Sequence, residues 1–166
     1  MTIAQSLLPE FDEEMALTRK TLEAIPSDKL NWKPHVKSNT IGWNANHLAD
    51  IPSWIEFMLE HDSLDIAPVD GPPWKSPSLE SSEEILALFD ENVAHARKVL
   101  EKTPDEVFAQ DWAFMMGGQV MFTMTKGATL RKWALSHMVH HRATVRVYLR
   151  MNDIAVPGVY GPSGDE

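Results

Sequence analysis

The chain has 166 residues, 43% of them hydrophobic, which suits one domain with a continuous core, and we predict a single domain over residues 1–166. Its 24 acidic and 15 basic residues give a formal net charge of −9, which argues against nucleic acids and anionic membrane surfaces as partners. There is no cysteine, so a metal site in this chain must use nitrogen or oxygen ligands.

The start of the chain lacks the features of a secretory signal peptide. Residues 1–10 have no basic start and no long apolar run, and an acidic stretch follows at 12–14. No segment approaches the roughly 20 apolar residues of a membrane-spanning helix. We therefore expect a cytoplasmic protein with no membrane partner.

The first half of the sequence contains two amphipathic helices. Apolar residues recur at helical spacing from about residue 3 to residue 25, where Pro26 ends the pattern. A second helix follows Thr40, a candidate N-cap, and extends over 41–58. Pro52 lies inside this second helix and predicts a kink or a local break.

The second half contains two more helices, separated by irregular stretches. Four prolines and a glycine make 61–79 a long surface loop, and a third helix begins near Ser82 and ends near residue 103. Within 107–125, Gly117-Gly118 separates two apolar runs and predicts a short β-hairpin. The fourth helix spans about 128–151. The prediction is an all-α four-helix bundle with a long crossover loop and a short β-hairpin before the last helix.

Two histidines of the fourth helix have the spacing of metal ligands. His137 and His141 are four residues apart, so their side chains lie about 40° apart around the helix and about 6 Å apart along it. Both also fall within the apolar stripe, where an unpaired imidazole costs roughly 1–3 kcal/mol. Metal coordination removes this cost, as does hydrogen bonding to a neighbouring helix. Met138 follows the first histidine, which excludes the glutamate of the zinc-protease motif.

His47 lies on the inward line of the second helix and completes a set of three imidazoles. Three neutral imidazoles suit zinc, nickel, copper or ferrous iron and leave coordination positions for water or substrate. His140 points about 100° away from His141, toward the pocket or a hydrogen-bond partner. A pairing of His137 with His140 stays open as the alternative. The remaining histidines, His35, His61 and His95, are expected in solvent.

Other residues near the histidines are candidates for supporting roles. Asp50 follows His47 by three residues and could orient it, and Glu56 and the amides of Asn44 and Asn46 are further candidates. Each of these has an exposed or structural alternative. Three tryptophans are expected in the core, with a pocket wall as the second interpretation: Trp43, Trp54 and Trp133.

Three passages carry a family pattern: TIGWNANHLAD at 40–50, SHMVHHRAT at 136–144, and the ending VPGVYGPSGDE at 156–166. Together with the helix order they cover nearly the whole chain, and they resemble the DinB-like superfamily of metal-binding four-helix bundles, which includes the YfiT-type proteins. The resemblance implies the same ligands, His47, His137 and His141. The family motif commonly ends in glutamine where this chain has Thr144, so a role for an amide there is not expected.

The resemblance also implies a range of activities. Relatives include bacillithiol S-transferases and a mycothiol-dependent maleylpyruvate isomerase, in which a metal with an open position lowers the pKa of a small thiol. We therefore expect one divalent transition-metal ion per chain, with zinc or nickel ahead of iron, and a metal-dependent thiol S-transferase acting on small electrophiles. A metal-dependent hydrolase and a non-catalytic metal-binding or stress-response protein stay open. The expected partners are a small-molecule substrate, including a low-molecular-weight thiol, and a second copy in a homodimer.

Overall fold

The computed structural model describes residues 1–166. Its helices and strands, in chain order, are α1 (Ile3–Glu23), α2 (Ile41–Asp50), α3 (Trp54–Glu60), β1 (Ser63–Asp65), α4 (Ser82–Lys102), β2 (Asp111–Met116), β3 (Gln119–Thr125), α5 (Lys126–Thr129) and α6 (His137–Met151). Short 3₁₀ turns and one π-helical stretch connect some of them.

The long helices form a bundle in which α1 and α2 occupy opposite corners. Helix α1 packs against α4 and α6, and α2 packs against the same two helices. One hydrophobic cluster fills the space between them and extends from Ala4 to Val156. The predicted helical bundle with a short β element before the last helix is therefore confirmed. No helix combines the length and hydropathy needed to cross a bilayer.

The second predicted helix is broken where Pro52 indicated. Helix α2 ends at Asp50, a 3₁₀ turn covers Ile51–Ser53, and α3 continues the chain. At the start of α2 the Thr40 hydroxyl accepts a hydrogen bond from the backbone N–H of Trp43 at 3.0 Å, so Thr40 is the N-cap. Gly42 allows close packing there, since a Cβ atom at this position would lie 2.9 Å from the carbonyl oxygen of Leu30.

The predicted hairpin is present, and a third strand, β1, which was expected to be loop, pairs with it. Strands β2 and β3 are antiparallel, and Gly117 and Gly118 have φ angles of 60° and 75°, as a tight hairpin turn requires. Strand β1 pairs in parallel with β2, so 63–65 is not loop. The Asp65 carboxylate accepts hydrogen bonds from the backbone N–H groups of both glycines, which binds the long connection to the hairpin tip.

The fourth predicted helix is not regular at its start. Helix α5 covers only Lys126–Thr129, and a π-helical stretch at Leu130–Ser136 leads directly into α6. The wider turn changes the angular position of each side chain relative to a regular helix. Its residue Trp133 and the first residue of α6, His137, therefore take their directions from this irregular stretch.

The chain end packs back onto the bundle through Tyr160. Its hydroxyl donates a hydrogen bond to Glu14 Oε1 at 2.7 Å and accepts one from the Arg142 guanidinium at 2.6 Å. Arg142 also forms an ion pair with Glu14 Oε2 at 2.7 Å, and only 2% of its side chain is exposed. This buried pair fixes the tail against α1 and α6.

Candidate metal centre

Three imidazoles from two helices meet at one point. His47 Nε2 lies 3.3 Å from His137 Nε2, which lies 2.9 Å from His141 Nε2. One ligand nitrogen from each ring lies within 4.8 Å of the other two, and no other residue joins the group. Three nitrogens on one tetrahedral zinc, each at a bond length near 2.0–2.1 Å, stand about 3.3 Å apart. The spacing therefore fits a single transition-metal ion.

The imidazoles do not satisfy one another without a cation. His137 Nε2 takes part in both short contacts, but a neutral ring nitrogen is either a donor or an acceptor and makes one such bond well. The Nδ1 atoms of His47 and His137 are also buried without a hydrogen-bond partner of ordinary geometry. A cation that accepts three lone pairs at once removes the conflict between the Nε2 atoms.

Asn44 fixes the direction in which His141 presents its lone pair. The amide nitrogen of Asn44 donates to the carbonyl of Thr40 at 2.8 Å, which turns its Oδ1 atom toward His141. This Oδ1 lies 2.9 Å from His141 Nδ1, so Nδ1 carries the hydrogen and donates it. The Nε2 lone pair is then free to bind the ion.

Burial keeps the three rings neutral, which is the form that binds a metal. Loss of solvent lowers the pKa of His47 to about 4, with a further contribution from His137. Burial likewise lowers the pKa of His141 to about 3, assisted by repulsion from His47, His137 and His140. The pKa of His137 is lowered by burial, although the Trp133 carbonyl partly opposes this. Near neutral pH all three imidazoles can act as ligands.

Asp50 does not orient His47 as the sequence suggested. Its Oδ2 atom accepts a hydrogen bond from Trp54 Nε1 at 3.1 Å, and its Oδ1 atom accepts one from the Ser53 hydroxyl at 3.3 Å. Position 50 is three residues after His47, but the chain turns at Pro52 and places Trp54 closer to the carboxylate. Burial raises the pKa of Asp50, and the bond from Trp54 opposes the rise.

Two tryptophans pack against the His47 ring. The Trp43 ring stacks on the His47 ring with a centroid distance of 4.7 Å, but 44% of Trp43 is exposed, so it is not the core residue that its position suggested. Trp54 meets the His47 ring edge-on at 5.2 Å. His47 Nε2 is therefore positioned by packing and by the helix, and not by a carboxylate.

The remaining histidines stay outside the ligand group. His140 is exposed and its ring lies 4.9 Å from that of His141, so the alternative pairing of His137 with His140 is not the one the geometry brings together. His35, His61 and His95 are exposed, as expected. Asn46 binds the long connection instead of the site: its amide exchanges hydrogen bonds with the backbone of Leu79.

Residues 10–145 match the DinB superfamily. The chain belongs to this superfamily. A DinB-like protein from Bacillus cereus ATCC 10987 has a similar structure, with a TM-score of 0.73 and 19% identity over 94% of this chain and 97% of that one. A DinB-like protein from Bacillus subtilis gives a TM-score of 0.70 and 17% identity over 93% of this chain and 96% of that one. No curated protein matches the sequence.

In this DinB-superfamily chain, the histidine group borders an apolar pocket of about 320 Å³. The pocket lies between the hairpin, the long connection and the helices, and His137 forms part of its wall. Four tryptophans and two phenylalanines contribute to the lining: Trp54, Trp74, Trp112, Trp133, Phe114 and Phe122. Of these, only Trp54 and Trp133 were candidates from the sequence. The register of the hairpin pairs Phe114 with Phe122 across β2 and β3, which is the one signal that could have found them.

Proposed function

We propose that this protein is a metal-dependent thiol S-transferase that acts on small electrophiles. The observation that carries the proposal is the position of three convergent imidazoles directly beside an apolar pocket. When bound there, the ion supplies Lewis-acid chemistry that lowers the pKa of a coordinated thiol. Zinc and nickel are the proposed metals, because neutral imidazoles suit both.

The chain's own residues hold this arrangement in place. Asn44 keeps the hydrogen of His141 on Nδ1, and burial keeps all three rings unprotonated at the ligand nitrogen. Trp43 and Trp54 both pack against the His47 ring. The apolar lining of the pocket beside the site favours attack by sulfur over attack by water.

The nearby carboxylates favour a transferase over a hydrolase. A metal-assisted hydrolase commonly uses a carboxylate as general base beside the ion. Asp50 accepts hydrogen bonds from Trp54 and Ser53, and a Glu56 carboxylate oxygen lies 3.0 Å from His95 Nε2 on the surface. Neither carboxylate forms a hydrogen bond with the three histidines. A low-molecular-weight thiol needs no such base once its pKa is lowered.

The proposal is tested by the conjugation of a chlorinated nitroarene with each of several small bacterial thiols, using zinc-loaded and nickel-loaded protein. The sulfur forms the new S–C bond, chloride leaves with the electrons of the C–Cl bond, and the thiol proton passes to solvent. We expect the His141→Ala variant to fall to the uncatalysed rate. The His35→Ala variant, which loses an exposed imidazole outside the site, should keep the wild-type rate.

A second measurement separates the candidate functions. Substitution of cobalt gives a site whose visible spectrum changes when a thiol binds to the ion, whether or not the correct electrophile is supplied. We expect at least one thiol to change it. If no thiol does so, the transferase proposal is wrong. Turnover of an ester or amide without thiol would then favour a hydrolase, and its absence would favour a non-catalytic metal-binding protein.

A further inference from the structure

We propose that the pocket beside His137 binds an uncharged, planar aromatic group of one or two rings. Its role as the electrophile subsite rests on the proposed transferase function, but the binding itself does not. The pocket, bounded by the hairpin, the long connection and the helices, lies on one side of the three-histidine group. The chemistry of its lining selects the ligand class.

The lining offers no charged partner. Nine of the eleven lining residues are hydrophobic, and the other two are Ser76 and His137. No lysine, arginine, aspartate or glutamate is among them. A charged group placed there would lose its hydration without an ion partner, which costs several kcal/mol even after relaxation. The part of a ligand that enters the pocket is therefore uncharged.

Two of the four lining tryptophans have their indole N–H groups engaged with the protein. Trp54 Nε1 donates to Asp50 Oδ2 at 3.1 Å, and Trp112 Nε1 donates to the carbonyl of Phe57 at 3.0 Å. The Nε1 atom of Trp133 is buried without a hydrogen-bond partner. The indoles of Trp54 and Trp112 therefore present carbon surface to the pocket, and Asp50 fixes the orientation of the Trp54 ring.

Three of the lining rings are nearly parallel, which favours a flat ligand. The Phe122 ring lies 5.3 Å from both Phe114 and Trp133, at interplanar angles of 18° and 6°. Phe114 and Trp133 are 6.4 Å apart at 11°. A planar ring can be offset-stacked against such a set, whereas a saturated ring or a branched chain cannot make the same contact over its whole area.

The volume limits the size of the ligand. An apolar protein cavity of about 150 Å³ holds one benzene molecule. The pocket volume of about 320 Å³ therefore corresponds to one or two aromatic rings. Since His137 is both part of the wall and part of the histidine group, a ring in the pocket would lie next to the ion site.

The test is a titration of the purified full-length protein with 2-naphthalenemethanol, followed by the indole N–H signals in NMR. Four of the six tryptophans line the pocket, so we expect the signals of Trp54, Trp74, Trp112 and Trp133 to shift and that of Trp32 to stay. Calorimetry should show weaker binding of non-planar cyclohexylmethanol and of charged 2-naphthoate. Equal affinity for all three compounds, or shifts outside these four signals only, would overturn the proposal.

Substitutions in the pocket test whether 2-naphthalenemethanol binds there. Phe122→Leu keeps an apolar side chain but removes the central ring, and it should raise the Kd for 2-naphthalenemethanol about tenfold. Met121→Leu, one position earlier on β3 with its side chain exposed, is the matched control and should leave the Kd unchanged. Ile66→Trp fills part of the pocket and should also weaken binding, so the test does not depend on one variant. Unchanged affinity in both pocket variants would contradict the proposal.

Failure of the aromatic-pocket proposal can be told apart from failure of the transferase proposal. Binding at the four tryptophans without conjugation would retain the aromatic pocket and remove its catalytic role. Conjugation of a chlorinated nitroarene at the same rate in Phe122→Leu, Ile66→Trp and the wild type would retain the transferase and remove the pocket as its electrophile subsite.

Discussion

The side chains of Asn44 and His141 meet at 2.9 Å between α2 and α6, the two helices that carry the histidine group. The Thr40 carbonyl fixes the orientation of the Asn44 amide. The contact with this amide leaves one nitrogen of the His141 imidazole for a ligand. Both residues are buried, with 2% of Asn44 and 9% of His141 exposed. The geometry of the candidate metal centre therefore depends on a neutral amide, and not on the carboxylate that usually serves this purpose.

Replacement of Asn44 should weaken metal binding. Asn44→Leu has a similar volume but no acceptor for His141 Nδ1, so the ring is free to rotate or to change its tautomer. Loss of such a hydrogen bond lowers metal affinity by about 10–100-fold in comparable sites. Competition with a chelator of known affinity would measure the change. Asn92→Leu, which removes a hydrogen bond to the Ala49 carbonyl between α2 and α4, is the control and should keep the affinity.

The metal-free protein should lose stability as the pH falls. The unfolded chain protonates His47 near pH 6.5, whereas burial in the folded protein lowers the pKa of His47 to about 4. Between these values the unfolded state binds more protons, so the free energy of unfolding decreases as the pH falls through this range. We expect the histidine to account for about 1–2 kcal/mol of this loss, because water still reaches part of the ring.

Urea unfolding in the presence of a chelator at pH 7.5 and pH 4.5 tests the predicted loss of stability. The His47→Gln variant cannot take up the proton and should lose less stability over the same interval. Asp50 and the other carboxylates titrate in both proteins and cancel in the comparison. An identical pH dependence in the two proteins would show that His47 is not buried in the neutral form.

Gly42→Ala should destabilise the protein by about 1–3 kcal/mol, the usual cost of a methyl group forced into a packed contact. The added Cβ atom would lie 2.9 Å from the Leu30 carbonyl oxygen, which accepts a hydrogen bond from the Gly42 N–H at 2.7 Å. Thermal unfolding would measure the loss. Gly164→Ala adds the same methyl group where no atom lies within 4 Å and should leave the melting temperature unchanged. A melting temperature equal to the wild type in Gly42→Ala would contradict the close packing of α2.

Glu14→Ala should cost about 3–5 kcal/mol, because it leaves the guanidinium of Arg142 buried without its anion. Only 2% of the Arg142 side chain and 13% of the Glu14 side chain are exposed. The exposed pair of Arg131 and Glu10, at 3.0 Å, is a matched comparison. Glu10→Ala should change the free energy of unfolding by less than about 1 kcal/mol. Similar losses in the two variants, measured by urea unfolding, would contradict the role of the buried pair.

Local sequence signals were sufficient for the histidine group itself. Thr40 marked the start of α2, the spacing of His137 and His141 placed both on one helix face, and Gly117-Gly118 marked the hairpin turn. Each of these features is set by residues within a few positions of one another. The meeting of His47 with the pair on α6 depended on the apolar faces of both helices, which a bundle turns inward.

The parts that sequence reasoning missed depend on contacts that residue spacing alone does not determine. Asn44 and Asp50 stand three residues on either side of His47, and nothing in the spacing shows which of them reaches the site. The break at Pro52 carries Trp54 to Asp50, and packing of α6 brings His141 to Asn44. The π-helical stretch before His137 and the pairing of β1 with β2 have no comparable local signal. Of the aromatic residues that line the pocket, the sequence therefore indicated only Trp54 and Trp133.

Metal content tests the central claim most directly. After loading with zinc or nickel and gel filtration, elemental analysis should give about one ion per chain for the wild type and for His140→Ala. His47→Ala, His137→Ala and His141→Ala should each lose stoichiometric binding, since each removes one of the convergent Nε2 atoms. A wild-type protein that retains no ion, or a loss in His140→Ala equal to that in the other three variants, would contradict the three-histidine centre.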